Sequence, residues 1–273
     1  MRRVRHRYLS RRPISDYALL WIARAGYAGR GAVFLLLGVF TGLAALGLRW
    51  QPVGTAGALH SLAISSVGAV LVFIIATGVF CFELYRSIEA AWDIHNYGDH
   101  SKGVLQRVWL GLSGLFYAGF GIVAGSTVFG SDATANDQMV RNWTALVLSV
   151  PAGTWLVEIA GLIVVGMGIQ LAISGWYEKF QSRVRFQPKE RPYAAALGQV
   201  GFVARSVIMI LIGGFLLFAA ITADPHRAQG LAGALRTIQH QAFGDILLGL
   251  MAIGLLSFGA FGISEAALAK IEK

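Results

Sequence analysis

Four charged residues stand in or beside long apolar runs, where they could form buried ion pairs or bind an ion. Arg30 and Arg205 occupy equivalent places in the similar segments GYAGRG and GFVARS, and Glu89 and Glu265 follow the apolar runs that come next. A charge inside a membrane span is costly and is typical of a functional site or of a residue with an opposite charge beside it. Because each glutamate is placed at a depth similar to that of the arginine in its own segment, we predict the pairs Arg30 with Glu89 and Arg205 with Glu265.

Other roles remain open for these charges. Each arginine could extend to the headgroups at the membrane surface, or it could bind a substrate or a lipid phosphate. Glu83 competes with Glu89 as a partner of Arg30. The middle third of the chain places Ser113 opposite Arg30 and Ala172 opposite Glu89. Both charges are therefore absent together, as expected for a salt bridge, because removing one partner alone leaves a buried charge.

Two other acidic residues stand in or beside apolar runs. Glu158, in TWLVEIAGLIVVG, is a candidate proton or cation site, or a residue that bonds a neighbouring helix or reaches the membrane interface; Ile75 and Met251 are near its place in the other repeats. Asp245 follows Gly244 at the start of an apolar run, where a carboxylate favours a helix N-terminus.

No motif indicates a cofactor, a metal or a reaction. The single cysteine, Cys81, cannot form an intramolecular disulfide, and no two histidines have metal-ligand spacing within one apolar run. The segment HNYGDH (95–100) is a weak metal candidate that is better explained as a solvated loop. There is no nucleotide-binding glycine loop, no HExxH and no GxSxG. We therefore predict no catalytic residue, metal or cofactor, and we favour a protein that is not an enzyme.

The elements that carry these residues are membrane spans. The chain has 273 residues, of which 56% are hydrophobic and 14% charged, and its 34 glycines would permit close helix packing in lipid. A span needs about 20 apolar residues. The predicted spans run over Ala28 to Leu48, Leu62 to Tyr85, Val108 to Phe129, Thr154 to Trp176, Gly201 to Thr222 and Phe243 to Ala267.

The net charge of +9 follows the predicted topology. Six arginines precede residue 13, and the segments 86–107 and 177–199 are also basic, whereas the intervening loops hold fewer basic residues. The positive-inside rule then places both termini and the two longer basic segments in the cytoplasm. Membrane orientation explains the basic residues, and no nucleic-acid partner is predicted.

The chain repeats itself. GYAGRGAVFLLLG (26–38) matches GFVARSVIMILIG (201–213) at an offset of 175, and AGALHSL (56–62) matches AGALRTI (232–238) at an offset of 176. A middle copy lies at an offset of 83 from the first, and a gap of about two residues brings Gly161 and Gly166 opposite Gly254 and Gly259. We predict an all-α membrane protein whose six spans form three parallel two-helix repeats in a pseudo-threefold bundle. The predicted units are a basic N-terminus (1–17), repeat 1 (18–106), repeat 2 (107–180), a cytoplasmic linker (181–196) and repeat 3 (197–273).

These repeats resemble the bacterial membrane family known as domain of unknown function 1206. The segments that carry the resemblance are GYAGRGAVFLLLG, GFVARSVIMILIGGFLLFAA and AFGDILLGLMAIGLLSFGAFGISEA, whereas the middle repeat departs from it by lacking the arginine. The resemblance implies an integral inner-membrane protein of six helices, and it implies no activity.

Three functions remain in competition. The first is a non-enzymatic protein that packs with the lipid bilayer, a membrane protein partner or a second copy of itself. The second is a small transporter or channel for protons or small ions along the pseudo-threefold axis, using Arg30, Arg205 and Glu158. The third, a membrane enzyme or haem protein, lacks paired histidines or clustered acids. A cavity shared by these three charged residues would favour transport, whereas dry packing around each would oppose it.

Overall fold

The computed structural model describes residues 16–48, 51–92, 135–176 and 191–268, and all regular structure in these ranges is helical. The predicted span Val108–Phe129, the basic N-terminus, Ser113 and the segment 95–100 lie outside the described residues. The helices are α1 (Asp16–Ala45), α2 (Thr55–Ala63), α3 (Ser66–Trp92), α4 (Ala135–Leu148), α5 (Gly153–Trp176), α6 (Arg191–Thr222), α7 (Leu231–Gln239) and α8 (Gly244–Leu268), with a 3₁₀ turn at Pro225–Arg227.

Five of the described helices, α1, α3, α5, α6 and α8, are long and apolar enough to cross a membrane. They coincide with five of the six predicted spans. Two begin well before the predicted start: α1 begins at Asp16 and α6 at Arg191. Residues 191–196, which were assigned to the linker, are therefore helical. Pro192 does not prevent this, because a proline in the first turn of a helix removes no intrahelical hydrogen bond.

Short helices connect the long ones. The hydropathy of the sequence did not predict them, because it identified only segments long enough to span a membrane. The helices α2 and α7 follow the first long helix of repeats 1 and 3, and α4 precedes the second long helix of repeat 2. The helix α4 contacts both α2 and α7, so all three lie at one end of the bundle. We call this end the short-helix end.

A glycine lies in the first turn of the return helix of every repeat. An ideal Cβ on Gly68, Gly153 or Gly244 would lie 1.8 Å from the backbone oxygen of Leu62, Val147 or Gln239, respectively. In repeats 2 and 3 the preceding residue also has a positive φ, 64° at Ala152 and 61° at Phe243. Because no side chain fits at such a distance, the turn requires glycine at this position in all three repeats.

The long helices meet at two kinds of seam. The hairpin seam joins the two long helices of one repeat: Gly26 of α1 lies against Phe82 of α3, and Gly201 of α6 lies in the same way against Phe258 of α8. An added Cβ at either glycine would come within 2.6 Å of the phenylalanine backbone. This close approach explains why the glycines recur at helical spacing.

The inter-repeat seam joins a return helix to the first helix of another repeat, and it is the more extensive of the two. Gly168 of α5 contacts Ile210 of α6, and Gly259 of α8 contacts Leu35 of α1. Repeat 2 thus packs on repeat 3, and repeat 3 packs on repeat 1. The chain's first and last described helices are neighbours in the fold.

Candidate functional site

Arg30 lies in a buried cluster of aromatic rings. It is 7% exposed, and its guanidinium carbon lies 5.1 Å from the ring centre of Tyr27, 4.8 Å from that of Phe82 and 5.1 Å from that of Phe258. One guanidinium nitrogen also donates a hydrogen bond to a carboxylate oxygen of Glu265, which is equally buried. The cation is therefore neutralised and enclosed within the bundle.

Arg205 occupies the equivalent place in α6 and is 6% exposed. Its guanidinium carbon lies 5.0 Å from the ring centre of Phe258 and 5.2 Å from that of Phe34. Both arginines thus contact the ring of Phe258. We call the following set the arginine cluster: Tyr27, Arg30, Phe34, Phe82, Arg205, Phe258 and Glu265.

The cluster shows the same pattern in two repeats. Arg30 contacts Phe82 across the hairpin seam of repeat 1, and Arg205 contacts Phe258 across the hairpin seam of repeat 3. A guanidinium held over an aromatic face in a desolvated site gains on the order of 2 kcal/mol. Aromatic faces and one carboxylate therefore replace water around these charges.

The observed partner of Arg30 comes from another repeat. The sequence predicted Glu89, whose side chain lies outside the described residues, whereas the structure pairs Arg30 with Glu265 of repeat 3. The physical reason is the extensive inter-repeat seam, which brings the end of α8 beside α1. The predicted pair of Arg205 with Glu265 stays a prediction, and Arg30 is an established partner of this carboxylate.

Seam contacts also set the register of the middle repeat. Val165 meets Gly213 and Gly168 meets Ile210, just as Leu256 meets Gly38 and Gly259 meets Leu35. Residues of α5 and α8 are thus equivalent at an offset of 91, for example from Gly168 to Gly259. The predicted alignment of Gly161 and Gly166 with Gly254 and Gly259 is therefore wrong by two residues.

The corrected register changes what stands opposite the cluster in repeat 2. Met167 takes the place of Phe258, and Ser174, rather than Ala172, takes the place of Glu265. At the two positions equivalent to Phe258 and Glu265, repeat 2 therefore has neither an aromatic ring nor a carboxylate. Ser113, the residue matched to Arg30, lies outside that part.

Glu158 is not part of the arginine cluster. It lies near the start of α5, close to the short-helix end, and it is partly exposed. In the corrected register its counterparts are Phe73 and Gly249, not Ile75 and Met251. Asp245 lies exposed in the first turn of α8, the location predicted for it.

A second polar cluster at the short-helix end was missed from the sequence. Asp137 of α4 is 8% exposed; it pairs with Arg236 of α7 and accepts a hydrogen bond of 3.0 Å from the backbone N–H of Gly230. The Nε of Arg141 donates a bond of 3.4 Å to the backbone oxygen of Ala228. These contacts fix α4 of repeat 2 to the start of α7 in repeat 3. The acidic residue in the first turn of α4 was the available signal.

An open groove of about 560 Å³ lies between α5, α6 and α8. Its walls are mostly apolar and include Trp176, Val203 and Leu250, and Gln199 supplies a polar group. Arg30, Arg205 and Glu158 do not line it. Within the described ranges, no three side chains of His, Cys, Asp or Glu are close enough together to hold a metal ion.

Comparison with known proteins gives two matches. The model of the family described as Domain of Unknown Function (DUF1206) matches residues 25–93, 110–178 and 200–269. The uncharacterized protein YxxB of Bacillus subtilis (strain 168) is 30% identical over 269 residues, which cover 96% of each chain. No solved structure matches this chain. The three matched segments confirm the three tandem repeats predicted from the sequence.

Proposed function

Because the chain belongs to the DUF1206 family, whose model matches it in three successive segments, we propose that it is a six-span protein of the bacterial inner membrane. The six spans form a pseudo-threefold bundle of parallel two-helix repeats. Two observations support this architecture: the hairpin seam occurs in repeats 1 and 3, and the inter-repeat seam occurs twice with equivalent residues. The proposed ring also requires an inter-repeat seam between repeats 1 and 2.

Within this architecture the protein acts without catalysis, through contacts with lipid, with a membrane partner or with a second copy of itself. The observation that carries this proposal is the enclosure of Arg30, which is bonded to Glu265 and surrounded by three aromatic rings. A cationic side chain used in transport or catalysis must be accessible to its substrate, whereas Arg30 is bonded to and covered by other side chains of the protein. The charges of the arginine cluster therefore hold three helices together.

The proposed orientation places both termini in the cytoplasm. It rests on the basic N-terminus and on the basic segments 86–107 and 177–199. The short-helix end then faces the outside of the inner membrane.

The alternative is a transporter for protons or small ions, and it requires Arg30, Arg205 and Glu158 to share a water-accessible cavity. In the described part of the chain, the two arginines lie among packed rings and Glu158 lies on another helix near the opposite end. This geometry favours the non-transporting protein.

Ion flux into lipid vesicles separates the two functions. We expect vesicles that contain the purified full-length protein to take up protons and chloride at the rate of protein-free vesicles, with a potential imposed by potassium and valinomycin. The matched variants are Glu158→Gln and the double change Arg30→Met with Glu265→Met. A flux that the wild type supports and that either variant removes would overturn the proposed function.

A further inference from the structure

One buried carboxylic acid, Glu83, has no role in the arginine cluster. It lies on α3 beside Phe82, at the position equivalent to Gly168 of α5 and Gly259 of α8. Both of those glycines contact the first helix of another repeat closely enough that an added Cβ would approach to 2.8 Å or less. In repeat 1 a large acidic side chain therefore stands where the other repeats have no side chain at all.

Glu83 is buried within a long apolar helix. It is 8% exposed, and its Oε1 has no hydrogen-bond partner among the described residues. The surrounding turns of α3 contribute buried apolar side chains, Val79 and Phe82. A buried polar oxygen without a partner is unusual and requires an explanation.

Among the described ionisable groups near Glu83, Arg86 of α3 attracts the carboxylate electrostatically, but burial of the carboxyl is the larger effect. On α3 itself, Arg86 holds its guanidinium carbon 5.4 Å from the ring centre of Phe82. On α1, Arg30 is bonded to Glu265, Arg24 lies over the ring of Trp21, and Tyr27 packs on the rings of Phe82 and Tyr85. On α2 the ionisable residue is His60, in the last turn of that helix at the short-helix end.

When Glu83 ionises, its buried carboxylate loses hydration, and the attraction of Arg86 does not offset that loss. The resulting penalty is several kcal/mol or more, and a buried acid commonly avoids it by binding a proton. A single carboxylate also offers too few oxygens for a metal ion, which requires several ligands. The proton is therefore the ligand that fits this position.

We propose that Glu83 is a proton-binding site in the membrane-spanning part of this protein, occupied by a proton at neutral pH. Ionisation at alkaline pH introduces a charge on the face of α3 that is equivalent to the inter-repeat seam faces of α5 and α8. This charge weakens the packing of α3 around Glu83. This inference does not depend on the proposed function, because a proton can bind without being transported.

Infrared difference spectroscopy tests the protonation state directly. We expect the spectrum of wild type minus Glu83→Gln, recorded on the full-length protein in lipid vesicles at pH 7, to contain the C=O band of a protonated carboxylic acid. The control difference, wild type minus Glu158→Gln, separates the bands of a partly exposed glutamate of α5 from those of Glu83. Carboxylate bands alone in the Glu83 difference spectrum would overturn the proposal.

The pH dependence of stability gives a second, independent measurement. A carboxyl that is protonated when folded and ionised when unfolded makes folding weaker as pH rises, by up to about tenfold in the folding equilibrium constant per pH unit. The wild type should therefore lose stability relative to Glu83→Gln between pH 6 and pH 8, as measured by unfolding in mixed detergent micelles. Parallel pH profiles for the two proteins would contradict proton binding. The result is separate from the flux measurement, so the failure of one proposal leaves the other standing.

Discussion

At the scale of single residues, the buried ion pair of the arginine cluster links the free-energy cost of each charge to the presence of the other. Arg30 and Glu265 are both buried, and neither could be left alone without a large penalty. The surrounding rings of Tyr27, Phe82 and Phe258 supply packing that neutral residues of similar size could also use. The pair should therefore be strongly coupled in energy.

A double-mutant cycle measures this coupling. We expect Arg30→Met and Glu265→Met each to lower the free energy of unfolding by about 3–5 kcal/mol, because each leaves one buried charge uncompensated. The double variant should lose much less than the sum of the two. Unfolding in mixed detergent micelles provides the measurement.

Asp245 provides the control for this cycle, because it is an exposed carboxylate in the first turn of α8, at the other end of that helix from Glu265. Combining Arg30→Met with Asp245→Asn should give losses that simply add. Strong coupling to Asp245 and none to Glu265 would contradict the observed pair.

At the scale of elements, glycines fix how closely the helices approach. Gly29 of α1 faces the backbone of α3, where an ideal Cβ would lie 2.5 Å from the carbonyl carbon of Gly78. An ideal Cβ on Gly214 of α6 would have no heavy atom within 4 Å. The two positions therefore differ in packing although both are helical glycines.

We expect Gly29→Ala to lower the free energy of unfolding by about 1–3 kcal/mol, because the two backbones must move apart to admit a methyl group. Gly214→Ala should be neutral or stabilising by up to about 1 kcal/mol, since alanine favours a helix and meets no neighbour. The thermal midpoints of the two purified variants in one detergent test this contrast. Equal losses at both sites would show that helix propensity, not close approach, controls the effect.

The sequence predicted the long elements well and their connections less well. Apolar length identified α1, α3, α5, α6 and α8, because a span must be long and apolar wherever it lies in the bundle. The short helices have no such requirement. The repeat offset of 175 correctly related Arg30 to Arg205, but it contained no information on which helices from different repeats touch. For that reason the partnership of Arg30 with Glu265 required the structure.

At the scale of the whole molecule, the basic segments predict one orientation in the membrane. We expect a green fluorescent protein fused after Lys273 to fluoresce, because that fusion partner folds in the cytoplasm. Alkaline phosphatase fused after Gln51, in the connection between α1 and α2, should be active because it folds outside the inner membrane. The opposite pattern, an active phosphatase at the C-terminus and an inactive one after Gln51, would contradict the proposed topology.

The contact between α1 and α8 has a consequence for biosynthesis. The ribosome makes α1 first and α8 last, yet these helices form one of the most extensive packing surfaces in the bundle. Until Glu265 has been synthesised, Arg30 lacks the carboxylate that pairs with it in the finished protein. A chain that stops before α8 keeps that defect permanently.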